Sequence, residues 1–167
     1  MNRTLYTAGH VLLVVAIFLI AGCASSTRAR GTIEPEISRW QGRLSLKVHS
    51  EPVQAFSANF DLQGDAQAGS LVFMTPIGST AARLQWDASG ARLQTSGEPQ
   101  QFETLEALTH QATGAPLPIG SMFAWLHGLE PNTPGWQVDL QNLPNGRLSA
   151  HRLPPETPVE LKIILDR

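Results

Sequence analysis

Residues 56–66, FSANFDLQGDA, alternate apolar Phe56, Ala58, Phe60 and Leu62 with polar Ser57, Asn59, Asp61 and Gln63. Gly64-Asp65-Ala66 then breaks the run. A period of two sends successive side chains to opposite faces, so this stretch predicts a strand with one buried and one wet face. The same period lies on either side of it. Leu44, Leu46 and Val48 alternate with Arg43, Ser45 and Lys47, and strand character begins at about Trp40. Leu71 to Thr75 reads as a third strand, stopped by Pro76-Ile77-Gly78. Ala82, Leu84 and Trp86 form a fourth, and Asp87-Ala88-Ser89-Gly90 turns the chain into a fifth carrying Ala91, Leu93 and Thr95. The expected arrangement is an antiparallel meander.

The period changes after residue 100. Thr104-Leu105-Glu106-Ala107 opens a short helix running to about Ala112, with Gly114 placed to close it. Pro118 fits the first turn of a second helix. There Ile119, Met122, Phe123 and Leu126 recur at i, i+3, i+4 and i+7, one apolar stripe, and Gly128 ends the run. Strand period resumes at Trp136, Val138 and Leu140. Asn145-Gly146 signals a hairpin into Leu148 to Arg152, and Val159, Leu161, Ile163 and Leu165 close the chain. Strands, two short helices and strands again make a mainly β domain.

Composition narrows the function. The 167 residues fit one domain, and 12 Lys+Arg against 14 Asp+Glu give a net charge of −2, which excludes a basic nucleic-acid footprint. A hydrophobic content of 42% supports a packed core. The one cysteine excludes an internal disulfide framework and a Cys-rich zinc site. Its position is informative. Arg3 supplies a positive start, and Val11 to Ala21 is an unbroken apolar run, too short to span about 30 Å of hydrocarbon but sized for a signal peptide. The run ends Ile20-Ala21-Gly22-Cys23, which resembles the lipobox of bacterial lipoproteins. That resemblance implies removal of residues 1–22, a diacylglyceryl thioether on Cys23 and N-acylation of the new terminus. Ala24 in place of aspartate implies an outer-membrane address. Residues 23–37 then form the lipidated start and a polar tether, whose twelve residues from 24 to 35 reach at most about 40 Å. A folded domain over 38–167 follows. The alternative is a short buried helix with an incidental thiol.

Reactive constellations are missing. His10, His49, His110, His127 and His151 include no pair at metal-ligand spacing, so no metal is expected. Ser79 lies in no Gly-x-Ser-x-Gly elbow, and Gly78-Ser79-Thr80 reads as a turn. Asp61, Asp65 and Asp87 read as solvated carboxylates at strand ends or turns, and His127 as a group favoured at a helix C-terminus. The sequence thus predicts no catalytic residue, no enzyme and no cofactor. What remains is an excess of large apolar side chains on sheet faces, which could fill a solid core or line a hollow one.

The segment Leu71-Val72-Phe73-Met74-Thr75-Pro76-Ile77-Gly78-Ser79-Thr80 resembles the strand–loop–strand of the LolB family of outer-membrane lipoprotein receptors. Matching pieces follow in order: Trp40-x-Gly42-Arg43-Leu44, Thr113-Gly114-x-Pro116-Leu117-Pro118, Trp125-Leu126-x-Gly128 and Gly135-Trp136-Gln137-Val138. The resemblance implies an unclosed antiparallel β-barrel with a short α-helical lid and an apolar cavity for acyl chains. It implies a protein lipid-anchored in the outer membrane and facing the periplasm, which takes acylated lipoprotein cargo from the soluble carrier LolA and inserts it into outer-membrane lipid; a monomer is the default expectation. Pro76, Ile77 and Gly78 would form the membrane-insertion loop, with a buried hairpin plug as the alternative for Ile77. The cavity candidates are Leu44, Leu46, Phe56, Phe60, Phe73, Leu84, Trp86, Met122, Phe123, Trp125 and Trp136. Two other classes stay open: a structural or assembly lipoprotein with a solid core, and a hydrolase dependent on Ser79.

Overall fold

The computed structural model describes residues 38–166, all within one compact unit, Glu36–Arg167. Cys23, the signal segment 1–22 and the tether 23–37 lie outside the described residues. Among the described residues nine strands make one antiparallel sheet: β1 (Arg39–Val48), β2 (Gln54–Gly64), β3 (Gly69–Met74), β4 (Thr80–Asp87), β5 (Gly90–Gln94), β6 (Gln100–Phe102), β7 (Trp136–Asp139), β8 (Arg147–Arg152) and β9 (Val159–Leu165). Their spatial order is β6-β5-β4-β3-β2-β1-β9-β8-β7. The meander β1 to β6 therefore extends to one side of β1, and the returning strands attach to its other side through β9. β6 and β7 are the two edges, so the barrel stays open.

The alternation of side chains fixes which face is inside. In β1, Leu44, Leu46 and Val48 are buried; in β2, Ala58, Phe60 and Leu62; in β9, Val159, Leu161 and Ile163. The register keeps these in phase. Leu44 lies opposite Ala58 and Ile163, and Leu46 opposite Phe56 and Leu161. A shift of one residue would turn every one of them to solvent.

Two helices cover the inner face. α1 (Leu105–Thr113) starts at Thr104, whose hydroxyl accepts from the Ala107 amide, and ends at Gly114 in a left-handed conformation. It packs on β4, β5 and β6. α2 (Ile119–Leu126) buries its stripe of Ile119, Met122, Phe123 and Leu126, and Trp125 as well. Through Phe123 and Trp125, α2 touches Trp86 of β4, Trp40 of β1 and Trp136 of β7. An eight-residue helix is about 12 Å long. Flat, β4 and β7 would stand about 29 Å apart, six strand spacings. The sheet reaches α2 from both sides because it curls around it.

Some expectations need correction. Thr75 begins the turn after β3 and Thr95 the bend after β5, while Leu140 falls just beyond β7. β6 has no counterpart in the sequence reading: of its three residues only Phe102 turns inward, too few to show a period. Asn145-Gly146 does not make a two-residue hairpin. A single 3-10 turn, Leu143–Asn145, joins β7 to β8, with Gly146 left-handed at its end, because Pro144 favours a tight helical turn there. Pro118 stands at the N-cap of α2, one residue before the first turn.

Candidate functional site

Nine of the eleven candidate cavity residues are buried: Leu44, Leu46, Phe60, Phe73, Leu84, Trp86, Met122, Phe123 and Trp125. Phe56 and Trp136 are half-buried and pack against the same cluster. The structure therefore brings all eleven together. The aromatic members meet edge-on, the arrangement their quadrupoles favour: Phe56 on Phe73 at 5.0 Å between centroids, and Trp86 on Phe123 at 6.2 Å. Trp125 lies 6.1 Å from Trp136 in a tilted pair. Sequence reasoning left Trp40 out of this set. It lies 5.6 Å from Phe123 and 4.8 Å from the His127 ring, contacts that no local pattern reveals.

Few polar groups enter this core. Thr109 Oγ1 donates to Glu106 O and accepts from Leu117 N, and Thr113 Oγ1 lies 2.9 Å from Thr109 O. Trp86 Nε1 donates to Asp65 O at 3.1 Å. Trp125 Nε1 is buried with no hydrogen-bond partner. An unmet buried donor costs about 1–3 kcal/mol. Beside the β1–β2 hairpin a groove of about 360 Å³ reaches the margin of the core, lined by Leu46, Val53, Ala55 and Phe56 with Lys47, Glu160 and Lys162 among its polar neighbours.

The second element is the β3–β4 hairpin. Thr75 N donates to Ser79 O, Gly78 N donates to Thr75 O, and Gly78 is left-handed at φ +85°. This is a three-residue loop, a β-turn followed by a left-handed glycine. Thr75 Oγ1 also accepts from Ser79 N at 3.2 Å. With Pro76 leading the turn, Ile77 stands at its tip and is 89% exposed. Ile77 is not a buried plug.

The ionisable groups singled out in the sequence do structural work. Asp61 is in mid-strand, not at a strand end, since β2 runs on to Gly64, and the register sets Arg39 and Gln41 of β1 beside it. Desolvation raises its pKa, but hydrogen bonds from Arg39, Gln63 and Gln41 outweigh that and hold its carboxyl below the usual range. Asp65 and Asp87 do sit in turns, where they accept from nearby amides. His127 caps the C-terminus of α2 and lies 3.2 Å from the Ser38 hydroxyl. Ser79 is exposed, and its recorded contacts are those of the turn. Among the described residues no three His, Cys, Asp or Glu side chains gather as a metal site.

The family model for the outer membrane lipoprotein LolB matches residues 38–154. The chain belongs to the LolB family. It is similar to the outer-membrane lipoprotein LolB of Chromobacterium violaceum, 31% identical over 72% of this chain and 68% of that one. The Azoarcus sp. relative is 28% identical over 93% and 92%. The Bordetella petrii relative is 35% identical over 66% of this chain and only 57% of its own length. All eleven core residues and the Pro76–Gly78 tip fall inside the stretch matched to the family. β9, which pairs with β1, lies beyond it.

Proposed function

We propose that this LolB-family chain is an outer-membrane lipoprotein receptor that accepts acylated lipoproteins from the carrier LolA and inserts them into the outer membrane. The observation that carries this reading is the joining of two elements in one small fold. An apolar core lies beneath a short helical lid, and a single isoleucine stands almost fully exposed at a hairpin tip.

Physical chemistry gives each element a task. Each acyl methylene costs roughly 0.8 kcal/mol in water, so a triacylated cargo cannot cross an aqueous space alone. Its gross burial energy exceeds what any single non-covalent site delivers, and what decides movement is the difference between successive hosts. The chains enter when α2 lifts from the sheet and the contacts of Phe123 and Trp125 give way to acyl contacts. Met122 suits such a lining, since a flexible thioether adapts to varied chains. Pro76, Ile77 and Gly78 then dip into the bilayer for release. Acylation of Cys23 after removal of residues 1–22 would hold the domain on the outer membrane through the tether, facing the periplasm, and two or three acyl chains suffice for stable anchoring. The domain works as a monomer, without catalysis or cofactor.

One observation favours a second reading, a structural lipoprotein with a solid core: the candidate lining residues pack against one another. Cargo transfer separates the two. An acylated lipoprotein–carrier complex is mixed with the chain lacking Cys23, and the protein holding the cargo is identified. Net movement onto this chain is expected. With both proteins folded, retention by the carrier would establish the solid-core reading instead.

A further inference from the structure

Buried polar side chains in this fold find partners close by, with one exception. Thr109, Thr113 and Trp86 are all satisfied. Among the described residues only Trp125 Nε1 has neither solvent nor a hydrogen-bond partner, on a side chain 1% exposed. The contrast with Trp86 is instructive. Both are buried indoles of the same cluster, yet Trp86 was given a carbonyl and Trp125 was not. A phenylalanine would fill much of the same space without an unmet donor.

We propose that the Trp125 N–H is the polar anchor of the cargo site, donating to a carbonyl oxygen at the head of the acylated cysteine when a lipoprotein is held. The proposal rests on the reading of the apolar core as that site. Acyl chains offer no acceptor along their length. The carbonyls that a triacylated cysteine carries into hydrocarbon surroundings are those of its two esters and its N-acyl amide, and a donor in such surroundings gains most from meeting one.

The position of Trp125 fits a head rather than a tail. Its ring lies beside Trp136, which is half-buried on β7, an open edge of the sheet. Phe60, Phe73 and Leu84 lie nearer the middle of the sheet, on β2, β3 and β4. Cargo held this way has its chains toward the middle of the sheet and its cysteine at the β7 margin, with the peptide leaving through the gap between β6 and β7. The anchor also aids release, since the N–H holds the head only until the carbonyls reach the hydrated membrane interface.

The test uses the full chain with Cys23→Ala, to keep it unacylated, and three short-chain probes. These are a trioctanoyl-cysteinyl peptide, its dialkyl-ether analogue retaining the N-acyl amide, and a trialkyl analogue with no carbonyl at any of the three linkages. Wild type should bind the carbonyl-free probe about tenfold more weakly than the trioctanoyl one, and the amide-only probe identifies which carbonyl is the acceptor. In Trp125→Phe, and in a variant with benzothienylalanine at 125 whose sulfur replaces the N–H, that ratio should fall to about one. Equal binding of all probes by wild type, or a tenfold ratio surviving in both variants, overturns the anchor and leaves the cargo site standing. No binding of any probe overturns both.

Discussion

Strand β3 ends in two turns that share a strand and little else. At its start, the segment from Gly64 to Gly69 is fastened at several points. Asp65 Oδ1 accepts from Gln67 N at 2.6 Å and Ala68 N at 2.9 Å, and Asp65 O accepts from the Trp86 indole. A Cβ on Gly64 would overlap Ala68 O, and one on Gly69 would meet Trp86 Cζ2 at 2.6 Å. At its other end, the Pro76-Ile77-Gly78 tip closes on itself through Thr75, and a Cβ on Gly78 would have nothing within 4 Å. The first turn is hydrogen-bonded across its exposed residues Asp65–Ala68 and flanked by tightly packed glycines; the second is apolar in sequence and unpacked. Ile77 is the most exposed of the large apolar side chains among the described residues and contributes nothing to the core, and that contrast is what makes it a functional candidate.

The largest effect should come from the packed turn. Gly64 has φ +105°, and a side chain there both strains the backbone and displaces the Ala68 carbonyl. Left-handed strain costs about 1–2 kcal/mol and forced overpacking about 1–3 more. Gly64→Ala should therefore lower unfolding stability in urea by about 3 kcal/mol. A loss under 1 kcal/mol would mean the turn is not held as described.

The exposed tip should behave in the opposite way. Ile77→Glu removes no packing, so stability should stay within about 0.5 kcal/mol of wild type. Burial of an isoleucine side chain is worth about 2 kcal/mol, and a carboxylate brings its own desolvation cost. Delivery of bound cargo into liposomes should drop about 30-fold or more, with uptake from the carrier unchanged. Normal delivery by this variant would remove Ile77 from the insertion step.

These two turns also show where the sequence was readable. Pro76-Ile77-Gly78 announces an apolar tip, because proline and glycine set the backbone whatever surrounds it. One-sided alternation revealed β1, β2, β4, β5 and β9 for a similar reason: the signal is local and repeated, whereas β3, with Leu71, Val72 and Phe73 all buried, showed as an apolar run stopped by that tip. β6 offers three residues and one inward Phe102, and the β7–β8 connection depends on Pro144 more than on Asn145-Gly146. The pairing of Asp61 was hidden because its partner Arg39 comes from the neighbouring strand, through a register that no single strand encodes. In the core, alternation and helical spacing pointed to the right side chains, Trp40 among the large apolar ones, but did not place Trp40 with the cavity candidates, because its contacts lie on α2 and at its C-terminus. The unmet N–H of Trp125 was beyond reach for the same reason. Hydrogen-bond satisfaction belongs to the assembled core.

Acid separates the two turns by charge. Backbone hydrogen bonds from Ala68 and Gln67 hold the Asp65 carboxyl below its ordinary range, whereas residues 75–79 contain no titratable group. A carboxyl depressed in the folded state adds stability above its unfolded pKa of about 3.9, and that stability fades as pH falls through the folded value. The melting temperature should therefore be flat from pH 7 to 5 on this account and decline below about pH 4. Asp65→Asn keeps an oxygen to accept the two amides but cannot titrate. Its decline should be shallower than wild type, with the rest contributed by Asp61, Asp87 and Glu160, whose carboxyls are also depressed. An identical acid limb in the variant would show that the Asp65 turn does not contribute to it.

The smallest effect belongs to Gly78, and it calibrates the comparison. Gly78 and Gly64 are both left-handed, at φ +85° and +105°, so alanine at either position pays similar backbone strain. They differ in what a Cβ would meet: a carbonyl at 64, open space at 78. Gly78→Ala should then cost about 1 kcal/mol, the strain alone, against about 3 for Gly64→Ala. Gly78→Asn should cost less still, because asparagine tolerates the left-handed region. If urea unfolding gave equal losses for the two alanine variants, the tip would have to be packed against something, and the exposure of Ile77 would no longer mark it as a residue free to enter a membrane.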